Sequence, residues 1–437
     1  MKNITRISIV LMLLAGGVAR GQQRLTLQDA ITRTLKHNYD ISIAGLTAEQ
    51  AARNNTLGNA GFLPGVNLNG TVSSSRTNVL SQLVNGTEQN NPRAKSFSYN
   101  PSVTVSWTLF DGFRMFIVKK QLDKLEALSE VQLLAQVQST VSRTIQMYAQ
   151  VVWRKRQVVA IDTALALARV RILITGVKYE TGAGAKIDLL QAKVDLNARR
   201  ADSLTYTATL NQASDSLAVL MGETPGDTYV VDDSLHLNAG ITPIDKARLE
   251  AINLSLSAYR YNAEVSHLNA DIAKTSFLPT LNFDGGLTYL KSTTATGFAL
   301  SNRTYGGNGV LTLSMPLYQG GNIRRQAKVA SLQAMKDDLL YERQSTIVGR
   351  QYRTAWKNYD VAIASYNLER ENILIAKENV DVQHARFRVG IGTTLESREA
   401  ENDYVTALVR LYTAEYNLKV NETIVLELQN QLVTEER

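Results

Sequence analysis

The chain of 437 residues contains one unit twice, and this internal repeat constrains its fold more than any other feature. Near the C-terminus it reads FRVGIGTTLESREAEND from Phe387, and YETGAGAKIDLLQAKVD starts at Tyr179, 208 residues earlier. At the same step SWTLFDG falls on SMPLYQG, and the tripeptide FLP recurs at a step of 215. Several motifs repeated in one order indicate a duplication. We therefore predict repeat 1 over residues 22–223, an inter-repeat linker over 224–243 and repeat 2 over 244–437.

The N-terminus and the net charge limit where the chain can act. Residues 1–21 carry Lys2 and Arg6, then an apolar run, then small residues, which is the pattern of a secretory signal peptide cut before Gln22. The apolar run is too short for the alternative, an uncleaved membrane anchor. Subtracting Lys2, Arg6 and Arg20 from the net charge of +7 leaves +4. This mild and dispersed charge gives no support for nucleic-acid binding.

The sequence offers no catalytic or metal-binding pattern. It contains no cysteine, which excludes disulfides, thiolate metal sites and a lipid anchor on cysteine. Its four histidines show no metal-ligand spacing, so we interpret them as exposed or as satisfied by neighbouring groups. No Ser-His-Asp order, phosphate-binding loop or HExxH motif occurs. We therefore expect neither an enzyme nor a cofactor.

Segments without glycine or proline predict unusually long helices. One of them is Phe113–Thr175, which as a helix would be about 95 Å long. Its apolar residues keep to one stripe with a mean spacing of about 3.8 residues, longer than in a simple left-handed coiled coil. Two further runs are Ala185–Met221 and Thr393–Arg437, and Asn322–Val389 is interrupted only by Gly349.

Each copy thus has a long helix, a short glycine turn and a returning helix. The turn contains Gly182 and Gly184 in copy one, and Gly390 and Gly392 in copy two. Glycine permits the positive φ that a tight turn between helices requires. An ordinary helical-bundle hairpin is one interpretation, and a rod or tube is favoured because these helices exceed the diameter of a small domain.

Between the FLP motifs and the LFDG and LYQG motifs, apolar and polar residues alternate. The alternation covers residues 66–74 and 101–110 in copy one, and 280–290 and 309–318 in copy two. Such a period of two is typical of strands with one apolar and one polar face. Strands of about 9–11 residues can cross a bilayer at a tilt.

The segments that connect these strands predict exposed loops. Residues 75–98 and 291–307 are rich in Ser, Thr, Asn and Gly. A small soluble sheet packed on the helices is the alternative to a membrane-spanning sheet. In a membrane, four strands cannot close into a barrel and an open sheet edge is not tolerated. Several chains would then have to pool their strands, and both two chains and three chains give an allowed number.

Short motifs occur in a fixed order along almost the whole mature chain. They are the opening LTLQDAITRTLKHNYDI (Leu25–Ile41), the two FLP tripeptides, LFDG, LYQG and the two VGxG-like tips. In these motifs the chain resembles the TolC-type outer-membrane efflux proteins. The resemblance implies a mixed α/β membrane protein, a homotrimer whose 12-stranded outer-membrane β-barrel, four strands per chain, is continued by a long periplasmic α-helical barrel. It also implies a passive exit channel.

The resemblance further implies the partners of a tripartite efflux or secretion system. These are a periplasmic adaptor (membrane fusion protein), an inner-membrane efflux pump or secretion transporter, and outer-membrane lipid, with drugs, metals or polypeptides as cargo. Two alternatives are a periplasmic adaptor-like coiled-coil protein and a secreted helical enzyme or adhesin. An adaptor usually has one hairpin flanked by compact β domains, whereas this sequence predicts two hairpins and two strand pairs. The enzyme lacks a candidate site.

In well-characterised relatives, two acidic residues just after the copy-two tip line the constricted periplasmic mouth. They match Glu396 and Glu399, whose spacing of three lets both face one side of a helix. The copy-one equivalents are Asp188 and Gln191. In a trimer the resemblance implies a ring of carboxylates that favours cations and raises its own pKa values by repulsion. Without the resemblance, these residues would be solvated charges on a helix surface.

The sequence also departs from the family at the mouth. Some relatives latch the closed mouth with a Tyr and an Arg on the copy-two hairpin, tied to an Asp on the other hairpin. Asp188 matches that Asp, but Phe387 and Gly392 occupy the other two positions. We therefore predict that packing or other contacts hold the mouth closed. The four tip glycines are the expected adaptor contact.

Overall fold

The computed structural model describes the chain in the ranges 24–226, 230–232, 235–237, 240–296 and 299–433. The predicted signal peptide, residues 1–21, lies outside these ranges, and so do parts of the predicted linker, 224–243. In chain order the elements are β1 (Arg24–Leu25), α1 (Leu27–His37), α2 (Tyr39–Asn54), β2 (Gly65–Gln82), β3 (Glu88–Phe110), α3 (Arg114–Glu180), α4 (Lys186–Leu220), β4 (Val230–Val231), α5 (Lys246–Ile252), α6 (Leu254–Thr275), β5 (Thr280–Thr294), β6 (Ser301–Ser314), α7 (Asn322–Arg388) and α8 (Thr394–Leu428).

The chain divides into two compact units, and each takes segments from both copies of the repeat. Unit 1 draws on Met1–Gly45, Gln132–Ser255 and Ser345–Arg437, and unit 2 on Leu46–Val131 and Leu256–Gln344. The division into compact units therefore differs from the division into sequence repeats. The repeat bounds, 22–223 and 244–437, stay a prediction from the sequence.

The long helices have the same lengths in the two copies. Helices α3 and α7 each contain 67 residues, and the returning helices α4 and α8 each contain 35. Gly176 and Gly349 lie inside α3 and α7 without ending them, because one glycine costs a helix only about 1 kcal/mol. Within the described ranges, no helix combines the length and the apolar composition that crossing a membrane requires.

Each copy begins with a pair of shorter helices that an asparagine separates. Asn38 lies between α1 and α2, and Asn253 lies between α5 and α6, 215 residues further on. The Asn38 side-chain amide donates to the carbonyl oxygen of Leu220 at 2.8 Å, and that of Asn253 donates to the carbonyl oxygen of Leu428 at 3.3 Å. Each buried asparagine therefore satisfies the carbonyl at the end of its own returning helix. This equivalence holds although the sequences around the two residues match poorly.

The core of unit 1 is built by the long helices around buried tyrosines. Leu25, Tyr148, Leu217 and Met221 are almost fully buried in one cluster, where the Tyr148 hydroxyl donates to the carbonyl oxygen of Leu25 at 3.0 Å. That bond holds β1, which pairs in parallel with β4, against α3. A second cluster forms around Tyr359 with residues of α7 and α8. Burial of such side chains stabilises the unit by about 1.5–3 kcal/mol each.

Unit 2 contains one antiparallel four-stranded sheet in the order β2-β3-β5-β6. Directly paired residues share a face, so Leu68, Val103 and Leu287 lie side by side across three strands. Trp107, Phe283 and Leu311 form a parallel row, and the polar residues between them point to the other face. Leu68 is 80% and Leu311 65% exposed. The sheet thus has the apolar and polar faces that the sequence predicts.

The strands are longer than the sequence pattern predicted, with 18, 23, 15 and 14 residues from β2 to β6. The prediction of loops over 75–98 and 291–307 is therefore wrong, because only 83–87 and 295–300 connect the paired strands. The ladder continues through Ser- and Asn-rich segments because its hydrogen bonds come from the backbone, and Ser75 and Ser96 add a hydroxyl contact of 2.7 Å. The predicted strand 309–318 ends at Ser314, just before Pro316, which lacks the N–H that a ladder needs.

Candidate functional site at the hairpin tips

The turn of copy one joins α3 to α4 and closes on a single carbonyl group. The Lys178 carbonyl oxygen accepts the backbone N–H groups of Ala183 at 2.8 Å and Gly184 at 2.9 Å. Gly182 has a φ of +73°, which places it in the left-handed conformation that commonly ends a helix. The exposed carbonyl at the end of α3 is thereby satisfied within the turn.

The turn of copy two repeats this arrangement 208 residues later. The Arg386 carbonyl oxygen accepts the N–H groups of Ile391 at 3.0 Å and Gly392 at 3.1 Å, and Gly390 has a φ of +86°. Both tips therefore share one backbone geometry. The sequence echo encodes a repeated turn.

The four tip glycines serve two different purposes. Positive φ occurs at Gly182 and Gly390 but not at Gly184 and Gly392, so the expectation of positive φ at all four glycines is wrong for two of them. At Gly184 an added Cβ would lie 2.9 Å from the Cβ of Lys178, and at Gly392 it would lie 3.2 Å from the backbone nitrogen of Phe387. These two positions require glycine because the end of the preceding helix approaches closely.

Helix α8 starts with a capping box that involves one of the predicted mouth residues. The Thr393 hydroxyl accepts the N–H of Glu396 at 3.2 Å, and the Glu396 carboxylate accepts the N–H of Thr393 at 2.7 Å. The backbone hydrogen bond from Thr393 and then its hydroxyl hold the pKa of Glu396 below its ordinary value, and Arg386 adds a smaller electrostatic effect. Glu396 is therefore ionised at neutral pH and tied to its own helix start.

The equivalent helix start in copy one has no such cap. Ala185 occupies the N-cap of α4 and has no side-chain acceptor, although its backbone is as extended as that of Thr393. Asp188, the equivalent of Glu396, therefore does not take part in a capping box. Its carboxylate is available for other contacts.

Two predicted mouth residues, Asp188 and Gln191, lie together in a cavity of about 120 Å³. Gln191 also donates its side-chain amide to Asp195 at 3.0 Å. Glu396 and Glu399 do not line this cavity, and Glu399 is exposed on α8. The structure thus groups the two copy-one residues and leaves the two copy-two residues outside. The cavity lining includes Arg171, Asp188, Gln191, Asp195, Thr394 and Arg398.

At the tips the two hairpins are joined by a contact that the sequence did not predict. The Lys178 ammonium donates to the carbonyl oxygen of Phe387 at 2.6 Å and lies 3.9 Å from the centre of its ring. Phe387 is 2% exposed and stands where some relatives have the latch tyrosine. A cation–π contact and a hydrogen bond therefore connect the hairpins at this position.

A second unpredicted contact lies about 13 Å along the helices from the tips. Arg171 of α3, 4% exposed, has its Nη2 at 3.1 Å from Asp195 Oδ2 and 3.7 Å from Glu401 Oε2. His384 Nε2 lies 2.9 Å from the other oxygen of Glu401. We call Arg171, Asp195, His384 and Glu401 the four-helix charge cluster, since α3, α4, α7 and α8 each supply one member. Sequence reasoning missed it because no motif links its members.

A chain with two long helical hairpins and a four-stranded sheet that exposes an apolar face has the elements of an outer-membrane exit channel. The outer membrane efflux protein family matches residues 30–223 and 247–428. The chain belongs to this family. The family consists of channel proteins, and the chain is an outer-membrane efflux channel.

Individual relatives agree with this assignment. The outer membrane efflux protein BepC of Brucella suis is 23% identical over 97% of this chain and 90% of its own length. The outer membrane protein TolC of Vibrio cholerae is 26% identical over 55% of this chain and 54% of its own length. The solved outer-membrane channel CmeC of Campylobacter jejuni superposes with a TM-score of 0.76 at 18% identity, covering 94% of this chain and 87% of that one.

Proposed function

We propose that the chain is the exit duct of a tripartite efflux or secretion system. In this system an inner-membrane pump or secretion transporter and a periplasmic adaptor deliver cargo to the channel. Channels of the family are trimers that work with adaptors and inner-membrane pumps. The apolar face of the sheet is the observation that carries the proposal, since residues such as Leu68 and Leu313 are 80% and 71% exposed in one chain. Outer-membrane lipid is the partner that such a face fits.

The sheet also supports assembly into a homotrimer. In the order β2-β3-β5-β6, strands β2 and β6 pair on one side only among the described residues, and unpaired edges are not tolerated in lipid. Three chains close these edges into one 12-stranded barrel. We expect the mature protein to be recovered from the outer membrane as a detergent-requiring trimer by native mass spectrometry. A soluble periplasmic monomer without a membrane-bound pool would contradict the proposal.

The tips support contact with an adaptor. Ile187 and Leu190 in copy one, and Val389 and Ile391 in copy two, expose between 47% and 73% of their surface close to the two turns. Exposed apolar residues grouped in this way are typical of interaction sites. The adaptor-like and enzymatic alternatives have no comparable support, and we expect neither enzymatic activity nor nucleic-acid binding.

We assign Glu396 and Glu399, with Asp188 and Gln191 of copy one, to the periplasmic aperture. Repulsion in a ring of three chains raises carboxylate pKa values, whereas within one chain the Thr393 hydrogen bonds lower the pKa of Glu396. Glu399 is exposed and three residues away on the same helix. We expect a weakly conducting, cation-preferring channel that multivalent cations block from the periplasmic side, because such ions bridge several carboxylates.

Single-channel recording in planar bilayers tests this assignment. Changing Glu396 and Glu399 together to alanine should abolish the multivalent-cation block and reduce the cation preference. Because the alanine at 396 also removes the capping box, Thr393→Val is the matched control, which loses the cap and keeps every charge. Block that persists in the double variant, or that disappears equally in Thr393→Val, would show that these carboxylates do not line the aperture.

A further inference from the structure

We propose that the four-helix charge cluster is the closing clasp of this channel. In this view it holds the two hairpins of one chain together behind the tips and keeps the mouth narrow until it separates. The inference rests on the proposed exit-duct function. It concerns residues that replace the Tyr/Arg latch, which this chain lacks.

The position of the cluster suits a clasp. Arg171 and Asp195 belong to hairpin one, whereas His384 and Glu401 belong to hairpin two. Arg171 is the link between them, since its guanidinium lies between Asp195 and Glu401. Its side chain and that of Glu401 are 4% and 6% exposed, so their attraction is weakly screened by solvent.

The cluster is also built to separate. Arg171 Nε and Nη1 make no hydrogen bond within the part of the chain that the structure describes, and the 3.7 Å approach to Glu401 is long for a direct hydrogen bond. The same guanidinium lines the cavity of about 120 Å³ beside Asp188 and Arg398. Buried polar groups are normally fully paired. Incomplete pairing beside a cavity lowers the cost of pulling the hairpins apart, because water can hydrate the arginine as it leaves.

Each chain can hold only one such clasp. At the equivalent positions, 208 residues away, the other copy has Asn379 for Arg171, Gly176 for His384 and Lys193 for Glu401. Only Asp195 has a matching residue, Asp403. A trimer would therefore contain three clasps, each within one chain, and the seams between chains would lack them.

The test compares channel opening in wild type with variants on both sides of the clasp. Arg171→Leu leaves Glu401 and Asp195 without their shared cation, and we expect the fraction of time in a high-conductance state to rise about tenfold or more. Glu401→Gln keeps the size of the side chain and should give a smaller rise, and Arg171→Lys should restore a mostly narrow mouth. Arg199→Leu is the matched control, because Arg199 bridges α4 to Asn402 of α8 at the surface.

Hydrogen exchange of residues 171–195 and 384–401 in the same variants separates the possible failures. Faster exchange together with higher conductance in Arg171→Leu and Glu401→Gln, but not in Arg199→Leu, supports the clasp. Faster exchange without a change in conductance would reduce the cluster to a local stabiliser and overturn the proposal. If Arg171→Leu does not assemble, Glu401→Gln and Arg171→Lys decide it. A wild-type protein that forms no channel refutes the exit duct, whereas unchanged exchange refutes the clasp.

Discussion

Hairpin one (α3 and α4) and hairpin two (α7 and α8) have the same backbone and different polar side chains. Their helices have equal lengths, and each turn closes on the carbonyl of the residue two places before the end of its long helix. Yet only hairpin two has a capped return helix, and Arg171 of the charge cluster has no counterpart in it. The duplication has thus kept the geometry of the tips while the contacts between helices diverged. Exchanging residues between the copies tests which differences matter.

The largest effect is expected where the two return helices end. Gly222 and Asn430 are equivalent, both have positive φ (75° and 53°), and both donate their N–H to a helix carbonyl at 3.0 Å. A Cβ at Gly222 would lie 2.3 Å from the carbonyl oxygen of His37. Gly222→Asn should therefore destabilise unit 1 by about 3 kcal/mol or more, although asparagine tolerates this φ. Thermal loss of helical circular dichroism measures the change.

The reverse exchange is the control. Asn430→Gly should shift the same melting curve by no more than a few tenths of a kcal/mol, since glycine adopts positive φ without strain. Equal destabilisation by both exchanges would mean that helix termination, and not the contact with His37, makes Gly222 necessary.

Much of this architecture was predictable, because its signals are local. Long helices follow from segments without glycine or proline, and the apolar face of the sheet follows from the alternation in residues 101–110. Strand lengths were not predictable, since backbone pairing continues through Ser75 and its neighbours whatever their side chains. The charge cluster was not predictable either. Arg171 and Glu401 are 230 residues apart, and their meeting depends on how four helices pack.

The next largest effect is expected at the turns. Valine at Gly182 or Gly390 should cost about 1–3 kcal/mol locally, because a β-branched residue is strained at positive φ. The tip amides should then exchange faster by mass spectrometry, and adaptor capture should fall while the trimer remains intact. Valine at both Gly390 and Gly392 should impair efflux most, and unchanged efflux would mean that the tip glycines are incidental.

The two crowded glycines sharpen this comparison. Gly184→Ala should loosen its tip more than Gly392→Ala, because the closest contact of an added Cβ is 2.9 Å in copy one and 3.2 Å in copy two. The opposite order would show that the flexible Lys178 side chain relieves the closer contact.

A smaller effect concerns Glu427, whose copy-one equivalent is the exposed Val219. Burial raises the pKa of Glu427, although the Ser142 hydroxyl donates to its carboxylate at 2.6 Å. A raised folded-state pKa means that its contribution to stability is complete below the ordinary value of 4.5 and is lost as pH rises through the folded-state pKa. Glu427→Gln should therefore be slightly more stable than wild type at pH 7, with the difference vanishing towards acid pH in thermal melts. A variant that is less stable at pH 7 would contradict this account.

The smallest effect is expected from giving copy one the cap of copy two. Ala185 already has the extended backbone of an N-cap, and Asp188 stands at the third helical position, as Asp29 does in the Thr26 capping box of α1. Ala185→Thr should therefore complete a capping box and stabilise the start of α4 by about 0.5–1 kcal/mol. Slower hydrogen exchange of residues 186–189 measures the gain.

The matched control is Ala185→Val, which has the same branched shape and no acceptor. The gain from threonine should also weaken at low pH, because a capping carboxylate has a lowered folded-state pKa, as Glu396 has in copy two. Its stabilisation is present above the unfolded pKa and is lost as pH falls through the folded one. The new box would draw Asp188 out of the cavity beside Arg171. If Ala185→Thr protects α4 no better than valine, Asp188 is held in that cavity more strongly than a cap can compete for it.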